Sequence, residues 1–433
     1  MRGSLGGPVS VLAAALAVLL VACGDNAMPT PAPVFTPLPA ATATPEVAPT
    51  PTFFPSESVN TPINPPFDAE DAALLDTTHP LDGKPAPDFT GVSGWINTEP
   101  FSLADLRGRV VLLDFWTYTC INCIRTFPFV KSWHDRYRDV GLVVIGIHSP
   151  EFAFEKKYEN VLKGTQDFGI EYPVVQDNDW AIWEAFRNTA WPGKYLIDAE
   201  GNVQQVTMGE GGYVAVEQGI RYWLQKAGYS VEHIRYTPDD FILDPEIVRE
   251  AHAIDREDSR TRELYAGLKR NIPFRKYPPP LPYILYDHYY DNPDTDQLYE
   301  DPDWHSNHHI YFQGLWHNYS EYMRHTRVTS NLEDYVAIKY NAKTVNVVVG
   351  NEKDEPYVIR VTWDGKPIPK EVAEPDVRWD SEGNSYLLVD EPRMYRLIRT
   401  VEYEKHQLKL ASNSDDFSLY TFTFGYYKEL EDN

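Results

Sequence analysis

Arg109-Val-Val-Leu-Leu-Asp114-Phe-Trp116-Thr-Tyr-Thr-Cys120-Ile-Asn-Cys123 is the stretch on which the reading of this chain turns. Its first half is a short apolar run suited to a buried strand. A helical pattern follows from about Cys120 to Tyr137, so the first cysteine falls where strand gives way to helix. Unsatisfied N–H groups and the dipole at a helix N-terminus favour a thiolate there. A thiolate so placed attacks a substrate disulfide and forms a mixed disulfide, and a second cysteine about one turn later displaces the product. Cys120 is read as the nucleophile and Cys123 as the resolving thiol, a redox-active disulfide that requires no other cofactor. Asp114 lies inside the apolar run, which argues for burial, a raised pKa and a part as proton acceptor. The competing reading makes it a strand-end acid facing solvent.

Three other readings of the cysteine pair compete. Half of a zinc site would need about four ligands in all, and only His134 and His148 offer to complete it, since no second cysteine pair exists. A purely structural disulfide closes so small a loop that it removes little unfolded-state entropy. A fold that keeps the pair without using it stays open.

Outward from the motif, apolar runs and helical patterns alternate. Gly141 to Ile147 and Tyr172 to Val175 read as strands, Phe152 to Phe168 and Ala181 to Phe186 as helical. Lys194 to Asp198 and Val203 to Thr207 read as a hairpin turning at Gly201, closed by a helix over Val214 to Gln225. These elements predict an α/β domain over residues 78–228, with helices covering a sheet. Residues 229–292 read as a charged connector punctuated by Pro278-Pro-Pro280. Beyond it the period becomes two. Tyr335–Tyr340, Thr344–Val349, Tyr357–Thr362, Tyr395–Arg399, Gln407–Leu410 and Leu419–Phe424 predict an all-β sandwich, jelly-roll-like, over residues 293–428.

The other end of the chain reads as an address. Arg2 precedes an apolar run from Val9 to Val21 that ends in Leu20-Val-Ala-Cys23. The run has the length of a signal-peptide core and is short of the roughly 20 residues that span a bilayer. Its end resembles a lipoprotein signal-peptidase site, which implies a signal peptide over residues 1–23, lipidation of Cys23 and an extracytoplasmic protein held at the membrane by its lipid. A plain secretory signal or short membrane anchor is the alternative. Residues 24–77, rich in Pro, Ala and Thr, read as a disordered tether, able to reach on the order of 100 Å if extended at about 3.1 Å per residue. With Cys23 lipidated, the 3 cysteines of the chain leave only Cys120 and Cys123.

Composition excludes some partners. A formal charge of −25 argues against nucleic acid, which calls for clustered Lys and Arg. His305, His308 and His309, with His317 and His325, form the densest histidine cluster. Its spacing matches no ligand motif, and no metal is expected. Aromatic residues make up 13% of the chain. In the β-domain they either pack the core or stack on sugars, so a glycan or a protein is the ligand considered there.

From about Asp88 to Gln225 the chain resembles the thioredoxin superfamily. Asp114 stands six residues before Cys120, Trp116 four before and Pro128 eight after. The resemblance implies that Asp114 moves the proton of the resolving thiol, Pro128 kinks the helix and Trp116 packs beside the disulfide. It also implies that Trp191-Pro192 forms a cis-proline loop facing the active site. Trp116 as plain core packing and Pro192 as a trans loop proline are the alternatives. Phe115 to Cys123 and Ala190 to Asp198 are similar to the DipZ-type extracytoplasmic module, which a β-domain likened to carbohydrate-binding modules follows. Thr261–Gly267, Gly314–Trp316 and Tyr420–Gly425 fit that second domain. DipZ-type proteins carry a fused CcdA-like membrane domain that supplies electrons. This chain shows no such segment, so the resemblance implies a separate membrane donor, CcdA-like, if the protein is a reductant.

The function expected is a thiol–disulfide oxidoreductase acting on exported proteins with disulfides, as reductant rather than oxidant, because Ile121-Asn122 brings no His or Lys between the cysteines. A thiol peroxidase of the peroxiredoxin type would carry Pro where Trp116 stands, although Thr117 suits it. A binding or scaffold lipoprotein acting through its β-domain is the third reading.

Overall fold

The computed structural model describes residues 78–237, 260–271, 282–302 and 304–425. Cys23, the leader and the tether lie outside these residues, as does much of the connector.

The first sheet is built from β1 (Gly94–Ile96), β2 (Val110–Trp116), β3 (Leu142–His148), β4 (Val174–Gln176), β5 (Gly193–Ile197) and β6 (Val203–Met208), in the order β1-β4-β3-β2-β5-β6. β2, β3 and β4 run parallel; β1, β5 and β6 run antiparallel to their neighbours. Around them pack α1 (Ile121–Tyr137), α2 (Tyr158–Asp167), α3 (Ala181–Ala185) and α4 (Tyr213–Lys226). β2 is central and buried along its whole length, which is why its sequence is a continuous apolar run rather than an alternating one. Alternation then divides its side chains between two cores. Val111, Leu113 and Phe115 join Ile182 and Phe186 on one side, while Leu112 and Trp116 join α1 and α4 on the other. That parity sends Asp114 to the face covered by α1.

Phe152 to Phe168 is not one helix. A 3₁₀ turn at Ala153–Lys156 precedes α2, and the chain extends at Lys157 between them.

The C-terminal domain contains β7 (Leu264–Tyr265), α5 (Asp287–Asp291), β8 (Asp296–Tyr299), β9 (His309–Asn318), β10 (Met323–His325), β11 (Tyr335–Asn351), β12 (Tyr357–Trp363), β13 (Arg378–Trp379), β14 (Ser385–Val389), β15 (Arg393–Ala411) and β16 (Phe417–Thr423). The domain is β-rich, as expected, and its strands join in one 10-stranded sheet wrapped about a single core, because β11 pairs with β15 along one edge and with both β9 and β16 along the other. The strand bounds are corrected. Two pairs of short strands are in fact two long ones, β11 and β15. A register irregularity between Ala342 and Thr344 switches the inward positions from Val336, Ile338 and Tyr340 to Val345, Val347 and Val349. Such a bulge flips the alternation without ending the strand, and in sequence the flip looks like an end.

The connector is also corrected. Its described parts belong to the two domains: Val231 packs in the core of the first, where Arg221 donates to its carbonyl at 3.0 Å, whereas Leu264 and Tyr265 pair with β16, and Leu264, Ala266, Ile284 and Tyr289 lie in the core of the β-domain. The Thr261–Gly267 segment was expected in that domain by resemblance; Pro and charge along the rest of the stretch hide Ile284 and Tyr289.

The two domains share a core. Val348, Met394 and Tyr420 of the β-domain pack into the cluster that holds Cys123 and α1. The Tyr420 ring stands 4.9 Å from that of Phe152 and 4.8 Å from that of Phe154. The Ala153 amide donates to Glu321 Oε2 at 2.8 Å, and Arg270 pairs with Glu151. Among the described residues, no helix is long and apolar enough to cross a membrane.

Candidate active site

Strand β2 ends at Trp116, a three-residue loop follows, and α1 starts directly after Cys120. Cys120 is the N-cap, and its sulfur accepts the Cys123 amide at 3.4 Å. A sulfur in that position meets one of the orphan donors of the helix end. Cys120 is half-buried and Cys123 is 0% exposed; both are free thiols. Burial pushes the Cys123 thiol well up, and its hydrogen bond to Cys120 and the nearby Asp114 push the same way. The outer sulfur is the accessible one, and burial favours the protonated form of the inner one beneath it.

Asp114 is fully buried under this pair and neither carboxyl oxygen has a hydrogen-bond partner. Burial raises its pKa to about 7, against the pull of Lys194. The antiparallel register of β2 and β5 sets Lys194 directly opposite Asp114 on the same face. Lys194 is itself buried, donates from Nζ to the Gly209 carbonyl at 3.0 Å, and has its pKa lowered by burial. A carboxyl that titrates near neutrality beside a buried thiol is suited to take that thiol's proton.

A second buried ion pair lies close by. Arg125, on the turn of α1 after the cysteines, makes a bidentate contact to Glu210 in the loop between β6 and α4, with Nε 2.8 Å from Oε1 and 3.0 Å from Oε2. Both side chains are 7% exposed. Arg125 also donates to Asn122 Oδ1 at 2.6 Å, so it braces one of the two residues between the cysteines. Burial raises the Glu210 pKa and Arg125 opposes it.

Beneath the loop from Thr117 to Thr119 runs a polar chain. Thr119 donates to Glu155 Oε1 at 2.6 Å, and the Glu151 and Phe152 amides donate to Glu155 Oε2 at 2.6 and 3.0 Å. Thr117 Oγ1 lies 3.3 Å from His148 Nε2, whose ring is buried and its pKa pushed down to about 3. The loop that presents Cys120 is thus anchored from below.

Trp116 is fully buried in the cluster that contains Cys123, edge-on to Phe127 at 5.3 Å and His148 at 5.0 Å. Gly146 makes room for it; a Cβ there would sit 2.7 Å from the indole nitrogen. The Trp191–Pro192 peptide bond is cis. Its loop is held by the Trp191 indole donating to the Ser149 carbonyl at 3.0 Å and the Gly209 amide donating to the Pro192 carbonyl at 2.7 Å. From the β-domain, Arg270 approaches the Trp191 ring to 5.9 Å. Pro128 lies within α1 and lines a cleft of about 670 Å³ between the domains that contains neither cysteine.

Lys194, Arg125, Glu210 and Glu155 were not anticipated from sequence. Lys194 left one trace, a lysine inside the otherwise apolar Gly193–Ile197. The histidines are dispersed over separate partners: His305 with Asp301, His308 with Thr261, His309 with Ser306, His317 with Asp294 and Asp296, His325 with Asp334. Among the described residues no group of three or more His, Cys, Asp or Glu side chains is arranged to hold a metal ion.

Comparison with known proteins gives two family matches: the AhpC/TSA family over residues 83–206 and the thioredoxin-like C-terminal domain over residues 286–425. The chain is 50% identical over 145 residues to Protein DipZ of Mycobacterium bovis, covering 33% of this chain and 21% of that protein. It is 26% identical over 137 residues to the thiol-disulfide oxidoreductase YkuV of Bacillus subtilis, covering 32% and 92%. With the thiol-disulfide oxidoreductase ResA of the same organism it shares 29% identity over 128 residues, covering 30% and 68%. The alignment thus spans about a fifth of the length of DipZ. The chain thus carries a thioredoxin-like domain of the AhpC/TSA family over residues 83–206 and a thioredoxin-like C-terminal domain over residues 286–425.

Proposed function

We propose that this protein is an extracytoplasmic thiol–disulfide oxidoreductase, held at the membrane through lipidated Cys23 and reducing disulfides in exported proteins. The observation that carries the reading is the asymmetry of the pair, with Cys120 half-buried at the N-cap of α1 and Cys123 wholly buried behind it. The Cys120 thiolate attacks one sulfur of a client disulfide. A bond forms between Cys120 and the client, and the other client sulfur leaves as a thiolate. Cys123 then gives its proton to ionised Asp114 and attacks the Cys120 sulfur. This closes the Cys120–Cys123 disulfide and releases the second client thiol. Two electrons have passed to the client, and a separate membrane donor, CcdA-like, returns them. Trp116 packs beside the pair and the Pro192 loop presents backbone to the client. YkuV and ResA, named as thiol-disulfide oxidoreductases, support the class of reaction.

Cys123→Ser should stop at the mixed disulfide and retain clients covalently through Cys120, identifiable by mass spectrometry after export. Cys120→Ser should retain none. Equal capture by both variants removes the assignment of roles. Rapid turnover of hydrogen peroxide, with no reduction of insulin disulfides, moves the reading to a thiol peroxidase.

A further inference from the structure

Residues 149–155, which lead from β3 into the 3₁₀ turn before α2, touch three parts of the molecule at once. The Ser149 carbonyl accepts the Trp191 indole N–H at 3.0 Å and so holds the Pro192 loop. The Glu155 carboxyl accepts the Thr119 hydroxyl at 2.6 Å and so holds the turn that leads into Cys120. The Glu151 and Phe152 amides donate to that same carboxyl at 2.6 and 3.0 Å, which ties the two attachments together. The third part is the β-domain. From it Arg270 reaches Glu151, whose side chain is 8% exposed, and Glu321 Oε2 accepts the Ala153 amide at 2.8 Å. Arg270 is placed by its own domain, with its guanidinium 4.9 Å from the ring centre of Tyr265 in β7. Burial pushes the Glu151 pKa up to about 8 against the pull of Arg270, and a guanidinium can donate to the acid in either protonation state. Apolar packing of Tyr420 on Phe152 and Phe154 would by itself dock the domains. Polar contacts of defined geometry do more, because they set where this one loop stands.

We propose that the β-domain is a working part of the redox site: Arg270 and Glu321 are positioning residues that fix the 149–155 loop, and through it the spacing between the Cys120 turn and the Pro192 loop, the two walls that receive an extended client. The proposal rests on the oxidoreductase reading and deepens it, by giving the second domain a part in substrate recognition. A client whose cystine meets Cys120 and whose chain lies along the Pro192 loop touches both walls. In such an arrangement a misplacement of about 1 Å can cost on the order of a hundredfold in rate. A small disulfide touches the sulfur alone and is indifferent to the spacing. Substrate size therefore separates positioning from chemistry.

The test compares the whole reduced protein with its Arg270→Met and Glu321→Ala variants. Each is oxidised in a single turnover by a peptide disulfide with extended flanks and by bis(2-hydroxyethyl) disulfide. Arg270→Met should slow the reaction with the peptide by about tenfold or more, mainly through weaker binding, and leave the rate with the small disulfide within about twofold. The Trp191 indole proton should exchange with solvent faster in that variant, a change that reports on the loop rather than on the cysteines. Glu321→Ala removes a different contact to the same loop and should show the same pattern at smaller amplitude; it decides the matter if Arg270→Met does not fold. Equal loss with both substrates, or loss with neither, overturns the proposal. A wild type that reduces neither disulfide instead overturns the oxidoreductase reading beneath it.

Discussion

Replacing Asp114 by Asn should make the protein more stable, and increasingly so as the pH rises. Well below pH 3.8 the folded and unfolded chains both hold the proton, and Asp114 adds no pH dependence. Between 3.8 and about 7 the unfolded chain has released it and the folded chain has kept it, so stability falls as pH rises. Above about 7 the whole cost of a buried carboxylate is in place. A carboxyl raised from 3.8 to about 7 costs about 4 kcal/mol once ionised, at about 1.36 kcal/mol per pH unit. Near pH 4.5 only about 1 kcal/mol of this is felt, so the gain of the variant over its parent should widen by about 3 kcal/mol by pH 8.5. Lys194 limits the gain, because its buried ammonium loses its counter-charge; Asp114→Asn/Lys194→Met removes both charges and should recover it. Urea unfolding of the reduced proteins, followed by tryptophan fluorescence, measures the difference at each pH. His148, with its pKa pushed down to about 3, drives stability the other way as pH falls below 6.5. It is common to both proteins and cancels. A difference that stays flat from pH 4.5 to 8.5 would show that Asp114 ionises as an ordinary exposed acid, and its assignment as proton acceptor would go with it.

Arg125→Met leaves Glu210 buried without its cation and should cost about 3–5 kcal/mol, whereas Arg125→Met/Glu210→Leu should recover most of that loss in the same urea assay. Glu155→Ala removes the acceptor shared by the Thr119 hydroxyl and the Glu151 and Phe152 amides. At about 1–3 kcal/mol for each stranded donor, it should cost at least 3 kcal/mol, and hydrogen exchange at those two amides should quicken. Unchanged exchange would mean that the loop before Cys120 is held by something else.

The order of elements in the first domain was legible because each carries a local signature. β2 and β3 are apolar runs, α1 begins at the cysteine that caps it, and Gly201 marks the turn between β5 and β6. β1 was missed; three residues with one buried side chain leave no period to detect. The β-domain was legible in class and not in connection. Alternation reports which residues point inward, but it says nothing of partners, and the bulge in β11 breaks the pattern without breaking the strand. The anchor at Tyr289 left no local signature, because its value comes from residues more than twenty positions distant in the chain, whereas Leu264 lay in the Thr261–Gly267 segment that the resemblance had assigned to the second domain.

What the sequence determined by itself was the chemistry at one point: two thiols one turn apart at a strand-to-helix junction, with an acid six residues earlier in an apolar run. Those features depend on neighbours in the chain, where spacing is geometry. The tertiary structure alone decided the charges around the thiols. Asp114 meets Lys194 through the register of two strands eighty residues apart, Arg125 meets Glu210 through the packing of α1 against a distant loop, and Arg270 reaches Glu151 from another domain. Charge acts through space, at strengths set by burial, and the sequence records neither the distances nor the burial until the chain has folded.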